Sequence, residues 1–192
     1  MVRASGESIG TGGGRLAAGK CHLLVTKAEE HTAKSGNTGI RLELEVLGHV
    51  VEGQEQKTMK YQDLYGGRMF DFAAAVGLTD HITGEVFTPT KLAAMRAMQK
   101  ENEAAKKANK NPPHVIPDAD FDPGEAENRT FCGEIKYPKP TNEKPDPWPE
   151  LGFWMVSPYD PEAKDVPKDA RYVGETVGAA AVGAPSGDAA FD

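Results

Sequence analysis

The 192-residue sequence has few apolar residues and no long apolar run. Its hydrophobic fraction is only 39%, whereas glycine and proline number 21 and 14, so much of the length is expected in turns, linkers and tails. No window approaches the roughly 18 consecutive apolar residues of a membrane span, and the start, MVRASGESIGTGGGR, lacks the apolar stretch of a secretory signal. We therefore expect a cytoplasmic protein that does not contact membranes.

Cysteine is scarce as well. Cys21 and Cys132 lie far apart, without the paired spacing of a zinc site or the density of a disulfide scaffold. None of the five histidines stands four residues from another, which is the spacing that two ligands on one helix face require. We therefore predict buried free thiols, no metal site and no cofactor.

Signatures of catalysis are also missing. Residues 10–15, GTGGGR, are Gly-rich but lack the Gly-Lys-Ser/Thr ending and the strand-to-helix context of a phosphate-binding loop. There is no Gly-x-Ser-x-Gly motif, and the acidic residues cluster in segments predicted to be solvated, where the pKa values of paired carboxylates would not be tuned. The sequence therefore predicts a protein that is not an enzyme.

Negative charge is concentrated near the C-terminal end. The net charge is -7, yet residues 1–140 carry 18 Lys and Arg against 19 Asp and Glu, while residues 141–192 carry 4 against 10. The first part is therefore almost neutral. Because the acidic part is separable, the net charge does not by itself argue against a polyanionic partner.

Alternating apolar residues predict three strands in the first third of the chain. Residues 1–15 read as a flexible arm, and residues 19–30 then alternate with the two-residue period of a strand. A turn-rich stretch at residues 31–39 leads into the clearest strand, residues 40–48, and a third strand at residues 57–65 alternates less cleanly. Short turns would join the three strands into an antiparallel meander.

The period then changes to that of helices. Apolar residues at three- and four-residue spacing predict a short helix in residues 66–78 that stops at Gly77. Thr88 is the predicted cap of a second helix, which runs to Lys110 with six Lys and Arg against two Glu. That basic face is either solvated or an extension of a binding surface. The acidic, Pro-containing residues 118–127 predict an exposed linker.

Strand periodicity returns at residues 129–137 and 151–157, on either side of the Pro-rich loop 138–150. Three strands, a helical segment and two strands match a five-stranded OB-fold barrel better than a sandwich or a βαβ sheet. We therefore predict a mostly β OB-fold domain at residues 16–160, with a helical insertion at about residues 67–127. Residues 161–192 lose periodicity and predict a disordered acidic tail.

OB barrels bind ligands with the face of their second and third strands and with the loops that join strands one to two and four to five. Single-stranded nucleic acid requires cations for its phosphates and flat side chains for its bases. Both criteria together select Lys34 and Asn37 in the first loop, Arg41, Lys57, Lys60, Tyr61 and Tyr65 on the strands, Lys136, Lys139, Lys144 and Trp148 in or beside the second loop, and Trp154 on the last strand. The alternative is that the aromatic residues Tyr61 and Trp154 fill the core while Arg41 and Lys60 only solvate the surface beside two glutamates.

Residues 16–48, LAAGKCHLLVTKAEEHTAKSGNTGIRLELEVLG, combine a Gly-led strand, a Ser-Gly-Asn turn and an alternating second strand. In these features the chain resembles a family of phage and prophage single-stranded-DNA-binding proteins found in replication and recombination modules. A looser likeness continues through residues 63–78 and 128–137. The resemblance implies an OB fold, sequence-tolerant binding of single-stranded DNA in the host cytoplasm, contact with replication or recombination enzymes, and no cofactor.

The end of the chain carries a second part of this resemblance. Many single-strand binders end in an acidic tail with an aromatic residue at its tip, and Asp188, Phe191 and Asp192 resemble a diluted form of it. The resemblance implies that these three residues bind partner enzymes, whereas a plain disordered terminus is the alternative. A different hypothesis for the whole protein is a barrel that contacts other proteins, as an adaptor or a virion or assembly component without nucleic-acid binding. The acidic balance and the glutamates of strand two suggest it.

Overall fold

The computed structural model describes residues 16–47, 58–143, 145, 147–152 and 156–167. Its strands are β1 Gly19–Thr32, β2 Thr38–Val46, β3 Thr58–Tyr65, β4 Thr79–Asp80, β5 Glu85–Val86, β6 Thr130–Lys136, β7 Glu150–Leu151 and β8 Ser157–Pro158. Its helices are α1 Gly67–Val76 and α2 Pro89–Lys107, with a 3-10 helix at Pro123–Ala126. The predicted N-terminal arm and the candidates Lys57, Lys144, Trp154, Asp188, Phe191 and Asp192 lie outside the described residues.

One antiparallel sheet forms most of the fold. Its order is β3-β2-β1-β6-β7, and β8 pairs with β6 as well, so that β7 and β8 together take the place of a fifth strand. The sheet curls into a nearly closed five-stranded barrel, and two helices stand between its third and fourth strands. The predicted mostly β, OB-like fold is therefore confirmed.

The first strand is long enough to belong to both halves of the barrel. Its beginning, from Gly19 to Leu24, pairs with β6, while Leu23 to Thr32 pairs with β2. The register with β2 shifts between Val25 and Lys27, which marks a β-bulge. Such a bulge bends its strand and increases the local twist, and this allows one strand to serve two halves.

The predicted alternation describes the barrel interior correctly. Ile40, Leu42, Leu44 and Val46 all point inwards and are buried, as expected for one face of β2. Gly133 occupies an inward position on β6, where an added Cβ would lie 2.6 Å from Leu23 Cδ1. Glycine at this position leaves room in the barrel interior for the side chains of Leu23, Leu151 and Phe131. Both cysteines are buried free thiols, as predicted.

The end of α1 and the beginning of α2 lie at the predicted signals. Gly77 terminates α1 in the left-handed conformation, with φ of 70°, and Arg129 Nη1 donates to the carbonyl oxygens of Val76 and Gly77. The hydroxyl of Thr88 accepts the N–H of Lys91 at the start of α2. This helix ends three residues earlier than predicted. Neither helix of the described part has the length and apolar composition needed to cross a membrane.

The acidic residues 118–127 were expected to be an exposed linker, and this expectation is wrong. The Phe121 ring packs edge-on against Phe70 and Phe87, with centroids 5.9 and 5.1 Å away. Ala126 is fully buried beside β1, and the Glu127 carboxylate accepts the N–H of Ala28 at 3.3 Å. Proline, glycine and aspartate form turns in this segment, and these turns place Phe121 and Ala126 against the other elements. The composition of the segment indicates the turns but not this packing.

The last described segment lies against the outer side of β1 and β6. His22 Nε2 donates to the carbonyl oxygen of Asp160 at 2.8 Å, and its ring lies 4.9 Å from that of Tyr159. Lys20 pairs with Asp165 at 3.8 Å. The described fold therefore continues to Pro167, past the boundary at residue 160 that the loss of periodicity predicted. The rest of the predicted tail lies outside the described residues.

Candidate functional site

The barrel is not closed by a backbone ladder between β3 and β7 in the described part of the chain. The side chain of Gln62 spans this gap instead. Its Oε1 accepts the N–H of Leu151 at 2.8 Å, and its Nε2 donates to the carbonyl oxygen of Pro149 at 3.2 Å. An open groove of about 690 Å³ lies along the same gap, and we name it the closure groove. It is lined by residues 58–63 of β3, Arg68 of α1 and residues 148–151.

Two exposed aromatic side chains line the closure groove. Tyr61 is 69% exposed on the β3 side, and Trp148 is 77% exposed on the β7 side. Burial of a large aromatic side chain is energetically favourable. Two such side chains exposed beside one groove therefore mark a surface that a partner can cover. The exposure of Tyr61 also excludes the alternative that this residue fills the core.

A β-bulge places Tyr61 on the surface. The register between β2 and β3 shifts between Leu42 and Leu44, so that β3 contains one extra residue there, and Tyr61 has a φ of 57°. Lys60 and Tyr61 are consequently both exposed, although they are neighbours in a strand. A bulky residue with positive φ is rare and costs free energy, and such strain concentrates at functional sites. The bulge also explains why this strand alternates less cleanly than β2.

Cations stand beside the aromatic side chains. Lys60 is exposed and makes no ion pair with any described residue. The Arg68 guanidinium donates to the carbonyl oxygen of Leu151, and burial lowers its pKa from the usual value, although a guanidinium stays charged at neutral pH. The closure groove therefore offers one exposed positive charge, on Lys60, and one held by a hydrogen bond, on Arg68.

Arg41 compensates one of the two acidic residues on the groove wall. It donates through Nε and Nη2 to the two carboxylate oxygens of Asp63, at 2.7 and 2.8 Å, and these hydrogen bonds lower the pKa of Asp63. The same guanidinium lies 5.5 Å from the ring centroid of Tyr61. Glu150 remains as an exposed acidic side chain on the wall. Arg41 thus supports the groove without being free to bind phosphate.

The other predicted residues lie away from the closure groove. Lys34 and Asn37 belong to the turn between β1 and β2, beyond the paired residues Gly39 and Tyr65 at the far end of β3. Tyr65 is half-buried, and its ring lies 6.4 Å from that of His31. Lys136 pairs with Glu134 at 2.8 Å, while Lys139 is exposed in the second loop. The structure therefore brings together Lys60, Tyr61 and Trp148, and the two loops do not meet there.

Sequence reasoning missed two residues of the closure groove. The sequence predicts Arg68 only as part of a helix, whereas in the structure it lies in the first turn of α1 and its side chain contacts the barrel at Leu151. Gln62 carried no signal of its role because its two partners across the gap, Pro149 and Leu151, are 87 and 89 residues away. Such contacts between distant parts of the chain are set by the tertiary structure.

The outer face of β1 and β2 has a different character. Glu29, Glu43 and Glu45 point outwards there, and only Glu29 is paired within the described residues, with Lys27 at 2.6 Å. Lys27 and Arg41 lie on the same face, so the three glutamates leave it with a small excess of negative charge. Among the described residues, no group of three His, Cys, Asp or Glu side chains is placed to hold a metal ion.

Comparison with models of known protein families finds no match to this chain. Comparison with curated proteins finds no significantly similar sequence either.

Proposed function

We propose that this protein is a non-catalytic single-stranded-DNA-binding protein with little sequence preference, acting in the cytoplasm in a phage or prophage replication or recombination system. The observation that carries the binding proposal is the closure groove, with Tyr61 and Trp148 exposed on its two sides and Lys60 and Arg68 beside them. The resemblance of residues 16–48 supports the biological setting. Replication or recombination enzymes are the proposed partners, through the acidic tail.

The closure groove has the chemistry that unpaired bases require. Stacking of a base on an aromatic side chain contributes about 1 to 3 kcal/mol per base, and every base has a face that can stack. Tyr61 and Trp148 each present such a surface to water. In a duplex the base faces are already stacked on one another, so this mode of binding selects single strands.

Little sequence preference follows from the hydrogen bonds of the groove. Reading a base edge requires donors and acceptors that are free to contact it. The amide of Gln62 is occupied by barrel closure, the carboxylate of Asp63 by Arg41, and Arg68 by the carbonyl oxygen of Leu151. Apart from the exposed side chains of Lys60 and Glu150, stacking surfaces and phosphate contacts remain, and neither depends strongly on sequence.

The test is titration of labelled oligo-dT and of a hairpin duplex, at low and high salt, with wild type, Tyr61→Ala and Trp148→Ala. We expect each substitution to weaken oligo-dT binding about 5- to 150-fold, which corresponds to the stacking free energy of one base. Ile82→Ala is the matched control, because Ile82 is 61% exposed and lies outside the groove lining. Absence of oligo-dT binding by wild type, or preference for the duplex, would contradict the proposal.

One observation favours a second candidate function. The outward acidic side chains of β1 and β2, Glu29, Glu43 and Glu45, would repel a nucleic-acid backbone but suit a basic protein surface. If wild type binds no oligonucleotide and instead co-purifies with a capsid or tail protein, the protein is an adaptor or assembly component. Metal-dependent cleavage of the oligonucleotide would contradict both candidates and show an enzyme.

A further inference from the structure

The exposed face of α2 carries a row of cations. Arg96, Lys100 and Lys107 are exposed and follow one another at spacings of four and seven residues, which places them on one side of an α-helix. We name these three residues the α2 ridge. Lys100 and Lys107 make no ion pair with any residue that the structure describes. The ammonium groups of Lys100 and Lys107 can therefore bind an external anion.

The acidic residues of α2 do not neutralise the ridge. Glu101 pairs with His114, whose Nε2 contacts its carboxylate, on the flank of the helix. Glu103 lies between Lys100 and Lys107 and accepts the side-chain amide of Gln99 at 3.4 Å. The ridge thus keeps a net positive charge even when Glu103 is counted.

The α2 ridge is joined to the closure groove through α1. Arg96 Nη2 donates to both carboxylate oxygens of Asp71, at 2.7 and 2.8 Å. Asp71 stands one helical turn after Arg68, which lines the groove, and the charges of Arg68 and Asp71 interact. This ion pair holds the start of the ridge at the helix that borders the groove, so the two surfaces are neighbours.

We propose that the α2 ridge is a second contact for the same strand, in which the sugar-phosphate backbone leaves the closure groove, passes the first turn of α1 and follows Lys100 and Lys107. This inference rests on the proposed function. From Arg96 to Lys107 the helix rises about 16 Å, enough to contact more than one phosphate. Ala97 and Ala104 lie along one edge of this face, so the side chains there are small, and Glu103 is the one acidic residue between the two lysines.

The proposal predicts a length dependence that a merely solvated face would not produce. An oligonucleotide long enough for the groove alone gains nothing from the ridge. A longer one reaches both surfaces and releases additional counterions, so its binding depends more steeply on salt. The whole site would then lie in the upper part of the range of about 4 to 16 nucleotides that single OB folds occupy.

The experiment compares oligo-dT of about 6 and about 20 nucleotides over a series of salt concentrations. The test variant is Lys100→Gln with Lys107→Gln. The matched control is Lys106→Gln with Lys164→Gln, which removes the same charge from exposed lysines on another side of α2 and on the outer side of β6. For the test variant we expect several-fold weaker binding of the long oligonucleotide only, with a slope of log affinity against log salt reduced by about 1.4.

Equal effects of the test and control variants on the long oligonucleotide would overturn the ridge proposal. Equal weakening of the short and long oligonucleotides by the test variant would overturn it as well, because the lysines would then act at the groove or on the fold. Failure of wild type to bind either length would instead contradict the proposed function, and the ridge proposal would fall with it. The first two outcomes leave the proposed function standing, so the two failures are distinguishable.

Discussion

The backbone N–H of Leu151 donates to the side-chain Oε1 of Gln62 at 2.8 Å. This bond crosses the gap between β3 and β7, which are the two edge strands of the sheet. The Nε2 of the same amide donates to the carbonyl oxygens of Pro149 and Lys60, at 3.2 and 3.1 Å. One side chain, only 8% exposed, therefore replaces a backbone ladder. It also keeps the Trp148 side of the closure groove beside the Tyr61 side.

Replacing Gln62 by alanine should destabilise the protein. The change removes three hydrogen bonds and leaves the N–H of Leu151 and the carbonyl of Pro149 without this partner, which costs about 1 to 3 kcal/mol in the free energy of unfolding. Urea denaturation measures the change. Gln99→Ala is the control, since Gln99 is exposed and makes one long bond, and it should stay within about 0.5 kcal/mol of wild type. Equal stability of the two variants would show that Gln62 does not hold the barrel closed.

Replacing Tyr61 by asparagine should separate stability from binding. Asparagine tolerates a positive φ better than tyrosine, so the free energy of unfolding should equal that of wild type or exceed it by up to about 1 kcal/mol. Affinity for oligo-dT should nevertheless fall, because the stacking surface is lost. Tyr65→Asn, at a regular and half-buried position of the same strand, should destabilise the protein instead. A Tyr61→Asn protein that is clearly less stable would contradict the view that Tyr61 is retained for its exposed ring.

The parts of the fold that depend on residues close together in the sequence could be predicted from the sequence. The alternation around Leu42, the stop at Gly77 and the cap at Thr88 are local signals, and each lies where it was predicted. The packing of Phe121 and the small β4–β5 hairpin were not predicted. They depend on contacts with other elements, which a periodic pattern does not record.

The candidate site could be predicted in part for the same reason. Lys60, Tyr61 and Trp148 were selected by residue type and by their place in the strand order, and the structure brings them to one groove. Their common location is set by incomplete barrel closure, a property of the whole sheet. The loop that carries Lys34 was expected to flank the same surface, but the turn lies at the other end of β3.

Both thiols should resist modification in the native protein. Burial raises the pKa of Cys21 to about 12 and also raises that of Cys132. The thiolate is the reactive form, so at about pH 8 very little Cys21 is ionised. We expect Ellman's reagent to detect no rapidly reacting thiol in the native protein and both thiols in concentrated urea. One rapidly reacting equivalent in the native state would show that a cysteine is accessible.

Asp80 is a buried carboxylate that makes the stability of the helical insertion depend on pH. Burial alone would raise its pKa, since the residue is only 1% exposed. The opposite effect dominates, because the Lys91 ammonium donates at 2.9 Å, the Thr83 hydroxyl at 2.8 Å, and the backbone N–H groups of Ile82 and Asp120 also donate. Together these donors lower the pKa of Asp80 to about 2.

The stabilisation by Asp80 should be complete above about pH 4, the pKa range of an aspartate in the unfolded chain, and should be lost as pH falls towards 2. Asp80→Asn should lower the free energy of unfolding by about 3 kcal/mol at neutral pH, because it removes the buried charge partner of Lys91 and leaves only the exposed Glu85 carboxylate, 3.8 Å away. It should also flatten the decline of stability between about pH 4 and pH 2. Asp118→Asn, at an exposed position of the same insertion, should change neither quantity, as urea denaturation at a series of pH values can show. An unchanged acid profile in Asp80→Asn would mean that other carboxylates carry the acid sensitivity of the fold.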